Sequence, residues 1–318
     1  MDMNIPYSMN KPYILITGAN GLLGQKLVSG LLERETFRVL ATGRGKCRLP
    51  AGWKGYTYLR MDVTDPIQIE QVIGEFLPQV VIHCASMTNV DRCEVERKSC
   101  FEQNVTAVGN MVEACERHGV HLIHLSTDFI FDGESGPYLE DDLPNPINYY
   151  GETKSKSEGL IKASSLPQWA IVRTGLVYGI SSDMSRSNII LWVRNGLING
   201  EELSLVDDQV RTPTLAEDLA IGCILIAEKG AIGVFNISGS DLLTPYDMAV
   251  ETASFFNLDA SKLKKVDSQT FTQTAKRPLK TGFIIDKANK ELGYKPRTLK
   301  EGIAILAKQI NFDLIEKK

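Results

Sequence analysis

The stretch "YILITGANGLLGQKLVSGLLER", residues 13–34, decides how the chain begins to fold. Its opening residues are mostly apolar and predict a buried strand, and apolar residues from position 22 onward recur at helical spacing. Between them, "TGANGLLG" (17–24) contains the glycines Gly18, Gly21 and Gly24. Glycine allows a tight turn and a close approach of helix to strand. The stretch therefore predicts a strand, a glycine turn and a helix in direct succession.

The same alternation of apolar runs and helical patterns continues through the first 180 residues. The predicted strands are 13–18, 37–43, 57–63, 79–86, 121–128 and 169–179. Near-continuous apolar strands separated by helices predict an α/β fold, a Rossmann-type doubly wound parallel sheet. We expect a first domain over 1–180, which starts with a short tail at 1–11. We expect a smaller, mostly helical substrate lobe over 181–318, from which 214–240 returns to the first domain.

Composition excludes several classes of protein. The 318 residues carry a formal net charge of -4 without a run of Lys or Arg, so nucleic-acid binding is not expected. No apolar stretch reaches about 18 residues, so no membrane span is expected. The N-terminus lacks the pattern of a secretory signal, so a cytoplasmic protein is expected.

The cysteines and histidines do not predict a metal site. Six scattered cysteines without a CxxC pair predict reduced, mostly buried thiols. His118, His121 and His124 recur at every third position, but the last two would lie on opposite faces of a strand. We therefore expect no bound metal.

The glycine turn predicts a dinucleotide site. A helix that begins directly after the turn directs its free N–H groups and the positive end of its dipole at phosphates. The spacing is GxxGxxG rather than the commoner GxGxxG. The candidate cofactor contacts in the turn are Gly18, Asn20, Gly21, Leu22, Leu23 and Gly24.

The end of the second strand indicates which dinucleotide is bound. NAD sites commonly have Asp or Glu there, but this chain reads "LATGRGK" with Arg44 and Lys46. Arginine can bind a 2′-phosphate through two parallel hydrogen bonds. We therefore expect NADP(H), with NAD(H) as the alternative. Asp62 and Val63, at the end of the third strand, are candidate contacts to adenine.

A pair of tyrosines in "INYYGETKSKSE" (147–158) raises the question of which one is catalytic. Positions i and i+4 share a helix face, so Tyr150 pairs with Lys154, whereas Tyr149 pairs with the uncharged Thr153. A nearby ammonium would lower the pKa of a phenol. Tyr150 is therefore the candidate proton donor to a carbonyl, and Lys154 its activator and a contact to the cofactor ribose.

Together these motifs resemble the extended short-chain dehydrogenase/reductase family over nearly the whole chain. Within it, the chain is most similar to the dTDP-4-dehydrorhamnose reductases. The matching segments are "TGANGLLG" (17–24), "VVIHCASMTNVDRCE" (80–94), "LSTDFIFDG" (125–133), "EDDLPNPINYYGETKSKSE" (140–158), "VRTGLVYG" (172–179), "DDQVRTPTLAEDLA" (207–220) and "KRPLKTG" (276–282).

The resemblance implies roles for further residues. Thr127, Tyr150 and Lys154 would form the catalytic triad, with Thr127 bonded to the substrate carbonyl. Asn104 would help to hold the active-site helix. The residues expected along the cofactor are Cys84, Ala85 and Ser86, and those expected on the substrate side are Thr88, Val90, Thr127 and Asp128.

Three positions depart from the reductases and leave the exact sugar open. Leu176 stands where they often have tryptophan, Asn236 where they usually have histidine, and Arg211 where glycine is common. Because a nucleotide sugar carries a diphosphate, Arg211, Lys276 and Arg277 are candidate cations for it.

The leading expectation is an NADPH-dependent reductase of the C4 ketone of a nucleotide-linked 6-deoxy sugar, with dTDP-4-dehydro-L-rhamnose as the main candidate. One alternative is a nucleotide-sugar epimerase or dehydratase with bound NAD. Another is a non-catalytic subunit similar to the regulatory subunit of methionine adenosyltransferase. The expected partner is a small-molecule substrate, and a homodimer is a candidate assembly.

Overall fold

A parallel seven-stranded sheet forms the centre of the structure, a computed structural model that describes residues 11–182 and 188–316. The expected tail at 1–11 lies almost wholly outside these residues. The strands are β1 (Tyr13–Thr17), β2 (Arg38–Gly43), β3 (Tyr56–Arg60), β4 (Val80–His83), β5 (His121–Thr127), β6 (Trp169–Thr174), β7 (Val177–Tyr178), β8 (Leu203–Val206), β9 (Thr214–Leu215), β10 (Gly233–Asn236) and β11 (Leu263–Val266). The sheet order is β10-β6-β5-β4-β1-β2-β3, which confirms the predicted doubly wound fold.

Helices cover both faces of the sheet. They are α1 (Leu22–Arg34), α2 (Pro66–Phe76), α3 (Val90–Val95), α4 (Arg97–Phe101), α5 (Ala107–His118), α6 (Tyr149–Lys162), α7 (Ile189–Ile198), α8 (Ala216–Lys229), α9 (Pro245–Phe255) and α10 (Leu299–Glu316). Ile14 and Ile16 of β1 pack with α1 and α8, whereas Leu15 packs with α2, α5 and α6. This two-sided burial explains why the strands are apolar at successive positions.

The helix expected over 100–119 is interrupted. The chain forms α4, then a π-helical turn at Glu102–Thr106, then α5. In the π-turn, the Asn104 amide donates to the Met87 carbonyl (3.0 Å) and to Thr153 Oγ1 (3.1 Å). Its Oδ1 accepts from the Met87 N–H at 2.8 Å. Such turns are frequent at functional sites, and this one ties α6 to the loop after β4.

The second half of the chain divides between the sheet and a smaller lobe. α8 packs against α1, and β10 extends the sheet beside β6. The lobe contains α7, α9 and the parallel pair β8 and β11. The domain limits at 180 and 181 stay a prediction. Among the described residues, no helix has both the length and the apolar content to cross a bilayer.

A buried ion pair fixes α6, the helix that carries Tyr150 and Lys154, to the sheet. Glu158 accepts two hydrogen bonds from Arg173 of β6 at 3.0 and 2.8 Å, and both side chains are 1% exposed. Ser126 of β5 donates to the same carboxylate at 2.7 Å. Burial is the largest single influence and opposes the charge of Glu158, but Arg173, Lys162 and Ser126 together outweigh it and hold the pKa of Glu158 below its usual value.

Replacing Glu158 should therefore weaken the fold substantially. Glu158→Ala leaves Arg173 buried without a counter-ion, which typically costs about 3–5 kcal/mol. The control is Lys162→Ala, because Lys162 contacts the same carboxylate at 3.1 Å from a 38% exposed position. Lys162→Ala should lower the free energy of unfolding by only about 0–1 kcal/mol. Urea denaturation at neutral pH measures both, and equal effects of the two variants would contradict this account.

The stability that Glu158 contributes should also depend on pH. Because its pKa is lowered in the folded state, the contribution is complete above the unfolded pKa, about 4.3, and is lost as pH falls through the folded value. The difference between the wild type and Glu158→Ala should therefore shrink in acid. A difference that grows as pH falls would be inconsistent with this pair.

Candidate active site

A cavity of about 1050 Å³ opens at the carboxyl edge of the central sheet. Ligand sites in open α/β sheets lie at this edge, and the volume is at the upper end for ligand pockets. Apart from Lys276, every residue that the sequence analysis proposed as a contact to cofactor or substrate lines the cavity, Lys46 included. These residues are Gly18, Asn20, Gly21, Leu22, Leu23, Gly24, Arg44, Asp62, Val63, Cys84, Ala85, Ser86, Thr88, Val90, Thr127, Asp128, Tyr150, Lys154, Arg211 and Arg277.

The glycine turn has the geometry that a pyrophosphate requires. Gly18 has φ +66°, and a Cβ there would lie 3.0 Å from the Ala85 nitrogen. A Cβ on Gly24 would lie 2.6 Å from the Ala19 Cα, so only glycine fits where α1 crosses the turn. Gly21 is the N-cap of α1 and has no side-chain capping bond. The free N–H groups of α1 therefore begin at the cavity, and these residues fit a bound dinucleotide.

Asn20 joins the glycine turn to the loop after β2. Its Oδ1 accepts from the Arg48 N–H at 2.8 Å, and its amide donates to the Lys46 carbonyl at 3.0 Å and to the Tyr58 hydroxyl at 2.8 Å. Arg44, Lys46 and Arg48 all line the cavity. Sequence reasoning identified the first two but missed Arg48. The signal was present, since basic residues alternate in "RGKCR" (44–48).

The side chain of Asp62 is engaged by its own turn. Asp62 Oδ1 accepts from the N–H of Thr64 at 3.0 Å and from its hydroxyl at 2.8 Å. Asp62 and Val63 still line the cavity. Their contact with adenine stays a prediction.

The three residues of the predicted triad line the same part of the cavity. Thr127 ends β5, and its hydroxyl accepts from the Phe129 N–H at 3.2 Å and donates to Asp128 Oδ1 at 3.1 Å. Tyr150 and Lys154 lie one turn apart on α6, which begins at the Asn148 cap. Tyr149 does not line the cavity, and its ring lies under the Arg97 guanidinium at 4.7 Å.

Burial sets the protonation of Tyr150 and Lys154. It raises the pKa of Tyr150 above its usual value, which a hydrogen bond with Thr127 only partly offsets. Burial also lowers the pKa of Lys154 to about 8, against the opposing charge of Glu158. The pKa of Tyr150 is therefore raised, not lowered as expected, because desolvation is the largest effect. At neutral pH Tyr150 is therefore a neutral phenol with a proton to donate.

Asp128 connects the triad to the second half of the chain. Its Oδ2 accepts from the Thr281 hydroxyl at 2.5 Å and lies 3.8 Å from the Arg211 Nε. Burial raises the pKa of Asp128, and Arg211 is the main opposing influence. Thr281 was not singled out from the sequence, although it lies within the matching segment "KRPLKTG" (276–282).

The candidate diphosphate cations differ in their surroundings. Arg211 is buried, and its guanidinium donates to the carbonyls of Val210, Pro278 and Leu279 at 2.5–2.9 Å. This arrangement makes Arg211 an anchor between segments, and its contact with a phosphate stays a prediction. Arg277 lines the cavity and forms a two-bond pair with Asp91 at 3.1 and 2.7 Å.

The structure also shows the surroundings of three other residues that the sequence analysis named. Lys276 lies outside this cavity, beside a smaller depression that includes Asp132 and Ile147. Leu176 lines the cavity with φ +38°, a backbone region that non-glycine residues seldom adopt. Asn236 is fully buried and donates to the carbonyls of Tyr138 and Ile284 at 3.1 Å each.

Comparison with known proteins identifies the family. The family model described as the RmlD substrate binding domain matches residues 12–312. The chain belongs to this family.

Individual members of the RmlD family and related proteins show the same similarity. The chain is 30% identical to a probable low-salt glycan biosynthesis reductase from Haloferax volcanii, over 92% of this chain and 97% of the relative. It is 30% identical to the beta subunit of methionine adenosyltransferase 2 from Bos taurus, over 83% and 77%. The crystal structure of dTDP-4-dehydrorhamnose reductase from Bacillus anthracis in complex with NADP superposes with a TM-score of 0.82 at 27% identity, over 94% and 99%.

Membership of the RmlD family confirms the resemblance proposed from the sequence. It also confirms the general class, an NAD(P)-dependent oxidoreductase of the extended short-chain dehydrogenase/reductase family. The roles of the individual site residues stay predictions.

Substitutions of the second and third glycines of the turn should have different effects, one on cofactor binding and the other on stability. Gly24→Ala should destabilise the fold by about 1–3 kcal/mol, since its Cβ meets backbone atoms that cannot move aside. Gly21→Ala should fold nearly normally, because the nearest atom to its Cβ lies 3.3 Å away, but should weaken NADPH binding about tenfold or more. Thermal denaturation and NADPH titration measure the two effects.

A control for this pair is Gly52→Ala. A Cβ at Gly52 meets nothing within 4 Å, so stability and NADPH affinity should both stay near wild type. Unchanged NADPH affinity in Gly21→Ala, or unchanged stability in Gly24→Ala, would contradict the role given to that glycine.

Proposed function

We propose that the protein uses NADPH to reduce the C4 ketone of a nucleotide-linked 6-deoxy sugar. The leading substrate is dTDP-4-dehydro-L-rhamnose, which would become dTDP-L-rhamnose. The observation that carries the proposal is that Thr127, Tyr150 and Lys154 line one cavity together with the glycine turn. A cytoplasmic location and a homodimer stay predictions.

The cofactor half of the cavity supports NADP(H). The glycine turn and the N-terminus of α1 would hold the pyrophosphate, and Arg44 and Lys46 would bind the 2′-phosphate. The reductase from Bacillus anthracis, similar over 94% of this chain, was crystallised with NADP. When bound, NADPH supplies the hydride that reduces the carbonyl carbon.

Tyr150 would supply the proton that completes the reduction. Its raised pKa keeps the phenol protonated at neutral pH, so it can donate its hydrogen to the carbonyl oxygen. The Lys154 ammonium, buried on the same helix face, would stabilise the phenolate that remains. Hydride and proton together convert the ketone to an alcohol. This use of Tyr150 needs no second acid–base residue.

Thr127 would hold the substrate oxygen beside Tyr150. A hydroxyl in this position can stabilise the charge that develops on the oxygen as the hydride arrives. Thr88, Val90 and Asp128 would contact the sugar from the same side of the cavity. Of the candidate cations for the diphosphate, Arg277 is the more accessible, since its side chain is 15% exposed against 5% for Arg211.

The two adjacent tyrosines test the proposal. Tyr150→Phe removes the proton donor and keeps the ring, so turnover should fall about 10²–10⁴-fold. Tyr149→Phe should stay within a few-fold of wild type, since Tyr149 does not line the cavity. The measurement is NADPH oxidation with dTDP-4-dehydro-L-rhamnose, with the product identified by mass.

Two outcomes would contradict this function. If Tyr149→Phe loses activity and Tyr150→Phe retains it, the assignment of the proton donor is wrong. If the wild type binds NADPH but reduces no 4-keto sugar nucleotide, the reductase proposal fails. In that case, binding of the purified chain to a methionine adenosyltransferase would support a regulatory subunit instead.

A further inference from the structure

The catalytic lysine has an unexpected neighbour. Lys154 Nζ lies 3.1 Å from the Nε2 atom of His124, and both side chains are buried. His124 is on β5, three residues before Thr127, and the proposed chemistry assigns it no role. When a buried ammonium lies this close to a buried imidazole, the imidazole nitrogen must accept a hydrogen bond, because two N–H donors pointing at each other would repel.

The surrounding hydrogen bonds, together with a charged Lys154, indicate which nitrogen of His124 carries hydrogen. Ser157 Oγ is 3.2 Å from His124 Nε2, but its one hydrogen is donated to the Lys154 carbonyl at 2.8 Å. An ammonium can only donate. With Lys154 charged, His124 Nε2 is therefore the acceptor, and the ring hydrogen is on Nδ1, a buried atom for which the described residues provide no partner. Burial and the Lys154 charge both lower the pKa of His124, so its ring is neutral.

A second histidine beside the first is also neutral. His83 of β4 stacks on His124 with ring centroids 5.6 Å apart. Thr17 Oγ1 accepts from the N–H groups of Cys84 and Ala85 at 3.1 Å each, so its own hydrogen is donated to His83 Nδ1 at 2.9 Å. His83 is thus an acceptor at Nδ1. Burial and then Lys154 lower its pKa to about 3. Lys154 is therefore the one cation of this three-residue cluster.

We propose that His124 is a positioning residue that accepts a hydrogen bond from Lys154, keeps this lysine charged and directs its remaining hydrogens at the cavity. The use of that charge, to hold the cofactor and to stabilise the Tyr150 phenolate, rests on the proposed function. The hydrogen bond between Lys154 and His124 does not depend on that function. Because burial lowers the pKa of Lys154 to about 8, losing one acceptor would shift much of this lysine to its neutral form near neutral pH.

The other titratable groups around Lys154 come from three parts of the chain. Tyr150 and Glu158 lie on its own helix, His83 and Cys84 belong to β4 and the residue after it, and Cys100 belongs to α4. Glu158, Cys84 and Cys100 each raise the pKa of Lys154, although less than burial lowers it. All of these groups are unchanged when only His124 is replaced.

Three substitutions on β5 isolate the hydrogen bond. His124→Phe removes the acceptor, so the pKa of Lys154 should fall by about one to two units, the effect of losing one hydrogen bond to a charged group. His124→Gln keeps an acceptor the same number of bonds from the backbone and should restore most of the shift. His121→Phe, also buried on β5 but on the opposite face, is the matched control and should leave Lys154 unchanged.

The measurement is the pH titration of the Lys154 amine by ¹⁵N NMR, in protein labelled at lysine side chains and assigned with Lys154→Met. It needs neither cofactor nor substrate, so its result is independent of whether the chain reduces any sugar. A lower pKa in His124→Phe, recovered in His124→Gln, supports the proposal. An unchanged pKa in a folded His124→Phe overturns it, as does an equal fall in His121→Phe.

The wild type provides a test that does not depend on any variant being folded. The ¹⁵N shifts of the His124 ring report its tautomer at pH 7. Hydrogen on Nδ1 with a free electron pair at Nε2 is the expected result. Hydrogen on Nε2 would overturn the proposal, because that nitrogen could not then accept from Lys154.

Discussion

The close approach of α1 to the glycine turn is the constraint on which the site depends. No side chain fits at Gly24, where a Cβ would meet the backbone of Ala19, so the helix begins directly over the end of β1. Thr17, the last residue of that strand, accepts hydrogen bonds from Cys84 and Ala85 and so holds the end of β4 beside the turn. Uncharged groups, the backbone of the turn and the Thr17 hydroxyl, therefore hold the ends of β1 and β4 beside the cavity.

In the cavity, burial shifts the pKa values of the candidate catalytic residues more than pairing of charges does. Desolvation keeps Tyr150 protonated and brings the pKa of Lys154 down to about 8. The ammonium is therefore sensitive to a single acceptor, which is the position that His124 occupies. The Glu158 and Arg173 pair holds α6 against the sheet, so these buried groups keep their separation. The fold and the proposed proton transfer thus depend on the same helix.

Local patterns predicted the features that local physics determines. The glycine spacing at 17–24 predicted the turn, and the four-residue interval from Tyr150 to Lys154 predicted that the two share one face of α6. The π-turn at Asn104 could not be predicted, because its partners Met87 and Thr153 are distant in sequence. The same holds for Arg211, whose carbonyl partners lie 67 and 68 residues away. The pKa of Tyr150 was misjudged because burial is a property of the whole fold.

The most direct test of the central claim follows the hydride itself. NADPH fully deuterated at C4 of the nicotinamide would be incubated with the wild type and dTDP-4-dehydro-L-rhamnose, and the sugar product examined by mass and NMR. The account predicts deuterium bonded to C4 of the product sugar, with one NADPH oxidised per product formed. A product without deuterium at C4, or conversion that leaves NADPH unoxidised, would contradict reduction by direct transfer and would favour an epimerase-type reaction.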